Sequence, residues 1–159
     1  MTIKNTFPYI SASAVITQDM CDQNGHMNVL YYSQIFGQAI EEFYSDELGF
    51  SKAYFDSGFS SFTLEDNIKY IKECFLGESV FIRYRLHKVN RKLIHLVAVM
   101  VNEQDQLCAI YETVLGHINM KLRKTTEMKE PFFNNLSGRV KDHTQFDIDI
   151  PLRLNIKSL

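Results

Sequence analysis

The chain of 159 residues has no tryptophan, only three cysteines, three prolines and seven glycines, and no excess of charge of either sign. Cys21, Cys74 and Cys108 are odd in number and form no Cys-x-x-Cys pair. That excludes a disulfide framework or a zinc ribbon and predicts reduced thiols in a cytosolic protein. No apolar run reaches the ~18 residues that a bilayer demands, and the opening Met-Thr-Ile-Lys-Asn lacks the apolar core of a signal peptide. No membrane span is expected, and the expected location is the cytoplasm. Lys and Arg total 17 against 19 Asp and Glu, so no nucleic-acid partner is expected, although local basic patches remain open.

Sparse Gly and Pro, with no repeat, linker or low-complexity tract, give no sign of an internal boundary. The expectation is one domain over 1–159. Hydrophobic residues at 45% and charged residues at 23% exclude a fully disordered chain. At this length roughly 68–70% of the unfolded surface can be buried, so a core forms without metal or staples. The aromatic residues are all Phe and Tyr, suited equally to a β-rich core or an apolar ligand tunnel.

From Tyr9 to Gln18, apolar Ile10, Ala12, Ala14 and Ile16 alternate with polar residues, which predicts a strand. A polar turn follows over 19–28. The spacing of Val29, Tyr32, Phe36, Ala39, Ile40, Phe43 and Leu48 then predicts a helix over 29–48 with one wide apolar face. Asn28 is placed to cap it and Gly49 to end it. Gly37 costs about 1 kcal/mol against Ala in mid-helix, which suggests close packing there. Glu41 and Glu42 read as a solvated or interface face. A short helical turn is expected at 51–56, ended by Gly58.

The remainder is strand-rich. Residues 60–73 suit a strand with a bulge. Residues 79–89 alternate, with Val80, Ile82, Tyr84 and Leu86 on one face and Arg83, Arg85 and His87 on the other. Residues 93–101 are apolar on both faces, as a central strand is, and 107–120 read as another long strand. Hairpin turns are expected at 90–92 and 102–106. A short helix is expected near 131–140 and a tail strand near 146–154. One helix cannot cover both faces of such a sheet, so an α+β layer is expected whose other face, or an open edge, needs a partner; a homodimer burying the helix-opposite surface is the expected solution.

The chemistry concentrates in Asp22-Gln23-Asn24-Gly25-His26-Met27-Asn28. A carboxylate, amides and an imidazole crowd beside the start of an apolar helix, whose free N–H groups can hold developing negative charge. Two readings fit: an oxyanion hole with a carboxylate to attack or to activate water, or a capping turn in which Asp, Asn and Gly serve only the bend. His87, His95, His117 and His143 are scattered, with no metal-ligand spacing, and read as strand or surface residues; no metal site is expected.

Asp-x-Asn-Gly-His-Met-Asn followed by an apolar helix with Tyr near its start resembles the hotdog-fold acyl-CoA and acyl-carrier-protein thioesterases. These include the 4-hydroxybenzoyl-CoA and plant acyl-ACP types. The likeness runs over about 9–124, leaving 125–159 as a C-terminal extension, and Tyr70–Cys74 with Gly77–Val80 matches the family's second-strand ending and turn. Glu112–Met120 and Lys121–Lys124 are similar to betainyl-CoA thioesterases. The resemblance implies a long central helix wrapped by a mostly antiparallel sheet, a homodimer or homotetramer with sites between subunits, and hydrolysis of an acyl-CoA or acyl-carrier-protein thioester. Coenzyme A would be part of the substrate, and no further cofactor is implied.

Carried over by position, Asp22 would be nucleophile or general base, and Asn24 and His26 would orient water or polarise the carbonyl. Val29 would offer a backbone N–H to the carbonyl oxygen, with Asn28 and Tyr32 beside it. Glu65 is a further substrate-contact candidate or an edge ion-pair residue. Among the histidines, His117 lies in the betainyl-like stretch. Phosphate-binding candidates are Lys88, Arg91 and Lys92, or Lys121, Arg123 and Lys124, each set also readable as solvated loop. Acyl-pocket candidates are Tyr31, Tyr32, Phe36, Phe55, Phe59 and Phe62. Two other classes compete: a hotdog hydratase or dehydratase, whose relatives space Asp and His five apart and carry His-Phe-Pro, and a non-catalytic acyl-CoA-binding module.

Overall fold

The computed structural model describes residues 2–158. In chain order the elements are α1 (Ile3–Thr6), β1 (Tyr9–Val15), a 3-10 turn at Gln18–Met20, α2 (Val29–Asp46), α3 (Lys52–Asp56), β2 (Phe59–Tyr70), β3 (Ser79–Val89), β4 (Leu93–Asn102), β5 (Leu107–Asn119), β6 (Lys124–Thr125) and α4 (Glu130–His143). The sheet order is β1-β3-β4-β5-β2, with β6 on β5, and every pairing is antiparallel.

Helix α2 begins where its cap dictates. The Asn28 side-chain oxygen accepts the Leu30 N–H at 3.0 Å, and the buried stripe is Tyr32, Ile35, Phe36, Ala39, Ile40 and Phe43. The helix stops at Asp46, and Gly49 turns the chain away with φ +70°. Burying the rings of Phe36 and Phe43 contributes roughly 1.5–3 kcal/mol each; they stack on Tyr111 and Tyr84 at 5.1 Å. Gly37 does not fit the expectation of close packing. It lies on the exposed face, with nothing within 4 Å of where a Cβ would stand.

The alternation in β3 is realised: Val80, Ile82, Tyr84 and Leu86 are fully buried under α2 and α4. Strand β4 divides as its composition requires. Ile94, Leu96, Ala98 and Met100 face the helices, while Val97, Val99 and Val101 join a second core on the back. Strand β2 carries the expected bulge, its register slipping between Thr63 and Glu65.

The back of the sheet departs from expectation, because the chain covers it itself. Phe7 of the α1 segment, with Ile3, Ile148, Ile150 and Leu152 from the two ends of the chain, packs on Val97, Val99, Val101 and Ile110. No second copy is needed there. Arg83 and Arg85, on the polar face of β3, are therefore buried. Arg83 Nε donates to the Phe7 carbonyl at 2.8 Å, and Arg85 donates to those of Phe146 at 2.7 Å and Thr6 at 3.2 Å. The expected tail strand over 146–154 does not form. Its alternation is real, but Pro151 has no N–H for a ladder, and the Arg153 and Leu154 N–H groups donate to the Glu112 carboxylate instead.

Candidate active site

Beyond Tyr70 the β2 strand leaves the sheet. The N–H groups of Ile71 and Lys72 both donate to the Cys108 carbonyl, and the chain then swings across to the motif loop. There the Met27 N–H donates to the Cys74 carbonyl at 2.8 Å, and His26 bridges to Phe75. Two segments distant in sequence are thus laced together at the N-terminus of α2.

The loop itself is a tight hairpin closed by a Cys21–Met27 bridge. The Asp22 Oδ1 accepts the Asn24 N–H at 2.8 Å, and the Gly25 N–H donates to the Asp22 carbonyl at 3.0 Å. Gly25 sits at φ +83°, a conformation that side chains with a Cβ resist. Asn28 satisfies Leu30 through its side chain and Tyr31 through its carbonyl. Among the described residues, the Val29 N–H donates to no acceptor.

Against this helix end lies an open cleft of about 270 Å³ walled by His26, Met27, Val29, Tyr32, Tyr70, Ile71, Lys72 and Glu73. Its lining is mainly apolar. Tyr32 and Tyr70 meet edge to face with centroids 5.0 Å apart, and burial pushes both phenols above their ordinary titration range. His26 Nδ1 lies 3.1 Å from the Met27 carbonyl, and Nε2 lies 3.7 Å from Glu73 Oε1. A carbonyl only accepts, so that contact requires the proton on Nδ1.

Of the residues singled out in the sequence, His26, Val29 and Tyr32 meet on this cleft, with Asn28 at the cap beneath it. Asp22 and Asn24 belong to the adjoining turn and are not part of the lining, and Glu65 sits on β2 opposite Val114. Of the suggested acyl-pocket aromatics only Tyr32 lines it. His117 is elsewhere: its Nδ1 lies 2.8 Å from the Tyr54 hydroxyl, in a smaller aromatic pocket with Phe59 and Phe132. That pocket adjoins the Phe59 end of β2, whereas the cleft adjoins the Tyr70 end. Arg91 pairs with Glu130 at 2.6 Å and covers Phe133, and Arg123 lies over Phe62. Neither basic cluster borders the cleft; Lys72 does.

Sequence reasoning missed Glu73, Lys72 and Tyr70 as cleft residues. Their one local signal is a charged pair directly after a long strand, which says nothing about the loop it meets. Among the described residues, no group of three or more His, Cys, Asp or Glu side chains could hold a metal ion.

Comparison with known proteins agrees with this architecture. The family model of the thioesterase-like superfamily matches residues 15–136. An L-carnitine dehydrogenase/betainyl-CoA thioesterase of Agrobacterium fabrum is 25% identical over 150 residues, covering 94% of this chain and 30% of that protein. The chain thus spans under a third of that relative's length. A betainyl-CoA thioesterase of Pseudomonas aeruginosa is 28% identical over 79% of this chain and 77% of its own. Among solved structures, a Staphylococcus aureus protein in complex with CoA superposes with a TM-score of 0.72 at 24% identity, covering 89% of this chain and 94% of its own. The DHNA-CoA thioesterase of the same organism superposes with a TM-score of 0.69 at 23% identity, over 84% and 91% of the two chains. The shared fold is the hotdog: a long helix held by a curled antiparallel sheet.

Proposed function

Because the chain belongs to the thioesterase-like superfamily, we propose that it hydrolyses an acyl-CoA thioester in the cleft at the N-terminus of α2. The observation that carries this reading is the uncommitted Val29 N–H, set at the positive end of the helix beside His26 and an apolar groove. Thioester hydrolysis passes through a tetrahedral oxyanion. A donor fixed where that charge develops is worth about 2.7–4 kcal/mol in comparable sites. A thiolate departs readily, so water, a carboxylate and a polarised carbonyl suffice. Met27, Tyr32, Tyr70 and Ile71 would shelter the acyl group, and Lys72 offers a cation towards the coenzyme.

The family resemblance offers Asp22 as nucleophile or general base, to be tested against the cleft's own carboxylate, with Asn24 and Asn28 shaping the turn. Glu65, at mid-strand on β2, is proposed as a contact only across an interface. The outer edge of β2 supports such an interface. Among the described residues the strand pairs only with β5, and an edge of that length favours pairing with a second copy. Antiparallel pairing of two such edges would bring the Phe59 end of one copy towards the Tyr70 end of the other, which places each cleft between subunits.

The test is thiol release from a panel of acyl-CoA and acyl-carrier-protein thioesters. Betainyl-CoA heads the panel because the relatives are named for it. Turnover of at least one thioester supports the proposal; binding without thiol release on any of them overturns it. A folded Asp22→Asn protein that hydrolyses at the wild-type rate removes the role given to Asp22. A light-scattering mass of one chain removes the interface.

A further inference from the structure

We propose that Glu73 is the carboxylate that takes the proton from the hydrolytic water, with His26 holding the same water's other hydrogen; the inference rests on the thioesterase reading and names a residue of its site. Three observations carry it. First, the Met27 carbonyl accepts a hydrogen bond from His26 Nδ1–H, so in the neutral ring Nε2 presents a lone pair. Second, that nitrogen lies 3.7 Å from Glu73 Oε1, too far for a direct hydrogen bond, and with the ring neutral both atoms are acceptors. Third, both side chains wall the cleft that Val29 also lines.

Two acceptors at that separation make a cradle for water. An oxygen placed about 2.8 Å from each subtends an angle somewhat under the tetrahedral value, so one water can donate a hydrogen to each. With both hydrogens held, its lone pairs point away from the wall and into the cleft. Asp22 does not offer the same arrangement, because its Oδ1 already accepts the Asn24 N–H inside the turn and it does not line the cleft.

The step balances without any further reagent. The water oxygen bonds to the thioester carbonyl carbon as its proton passes to Glu73, and the Val29 N–H holds the resulting oxyanion. The C–S bond then breaks, and the proton on Glu73 moves to the departing thiolate. A carboxylic acid and a thiol leave, and Glu73 is again ionised. His26 ends the cycle in the protonation state in which it began.

The Glu73 side chain is 62% exposed, so replacing it leaves the fold intact and the test is one of chemistry. Glu73→Gln keeps the size and removes the base. The expected result is a fall in kcat of about 10²–10⁴-fold with KM little changed, the range ascribed to a general base. Glu73→Ala falls similarly, and added formate, small enough to enter the vacated space, restores part of the rate in proportion to its concentration. A purely structural role for Glu73 gives no such rescue. Asp22→Asn is assayed beside them: a loss in both Glu73→Gln and Asp22→Asn makes two carboxylates necessary, and a loss in Glu73→Gln alone leaves Glu73 as the base; both outcomes support the proposal. An active wild type with Glu73→Gln within threefold of it overturns this step alone, whereas a wild type that releases no thiol from any thioester removes the proposed function and this step with it.

Discussion

Among the described residues three histidines face a glutamate, and two of these pairs, His26–Glu73 and His95–Glu112, have opposite surroundings. His26 and Glu73 stand 3.7 Å apart with side chains 30% and 62% exposed. His95 and Glu112 stand 3.2 Å apart with side chains 1% and 2% exposed. In the sealed pair the carboxylate is fully engaged: Oε1 faces His95 and accepts the Leu154 N–H, while Oε2 accepts the Arg153 N–H. In the open pair the carboxylate accepts no hydrogen bond from the described residues and faces the imidazole at 3.7 Å. Sealing turns the same two residue types into a clamp for the chain's tail; openness leaves them free to handle a small molecule. Chemical identity alone would not have separated them.

The largest effect expected from breaking this contrast is on stability at the sealed pair. Glu112→Ala strips three donors of their acceptor inside the protein, at a cost of about 1–3 kcal/mol for each donor left unsatisfied. Urea unfolding would show it as a lowered midpoint, and limited proteolysis would show the tail past residue 146 cut early. Glu73→Gln should leave the urea midpoint unmoved while removing turnover. If the two variants exchanged these phenotypes, the distinction between clamp and working pair would be lost.

Acid sharpens the same contrast. His87 and His95 meet edge to face at 5.1 Å beneath the tail. Burial pushes each down to about 4, with the neighbouring imidazole adding to the shift for His87 and Lys88 for His95. An unfolded histidine titrates near 6.5. Between those values the unfolded chain binds protons that the folded chain refuses, so stability falls as pH drops from about 6.5 towards 4. Above that window the contribution is complete. The slope approaches about 1.4 kcal/mol per pH unit for each of the two rings. Urea midpoints at pH 7, 5.5 and 4.5 would measure it, and a flat series would show that the back face is open to water.

These contrasts also mark how far the sequence could be read. Helix α2, β3 and β4 were legible because each is written in local terms: a cap at Asn28, a period of two in Val80–Leu86, and apolar residues on both faces of 93–101. The motif loop was legible for the same reason, since seven consecutive residues carry it. Glu73 was not, because its role depends on where β2 leaves the sheet, and the Cys108 carbonyl that diverts it lies far along the chain. The buried state of Arg83 and Arg85 was hidden likewise. Their alternation marks the face correctly, but only α1 and the tail make that face an interior. The tail shows the converse error, a true period of two that packs side chains against a sheet without pairing its backbone.

The smallest expected change in stability falls at the open site, and it separates the cap from the catalytic donor. Asn28→Ala removes the acceptor from the Leu30 N–H and should cost about 1 kcal/mol, as caps of this kind do. Asn28→Asp keeps an acceptor of the same reach and places a negative charge at the positive end of α2, so stability should hold or rise slightly. Turnover should move the other way. A fixed carboxylate next to the Val29 N–H opposes the charge that builds on the thioester oxygen, so Asn28→Asp should lower kcat more than Asn28→Ala while being the more stable of the two. Paired melting curves and thiol-release rates measure this. If rate simply follows stability across the two variants, the helix end serves as a cap and nothing more, and the open pair has lost the oxyanion donor with which it was expected to work.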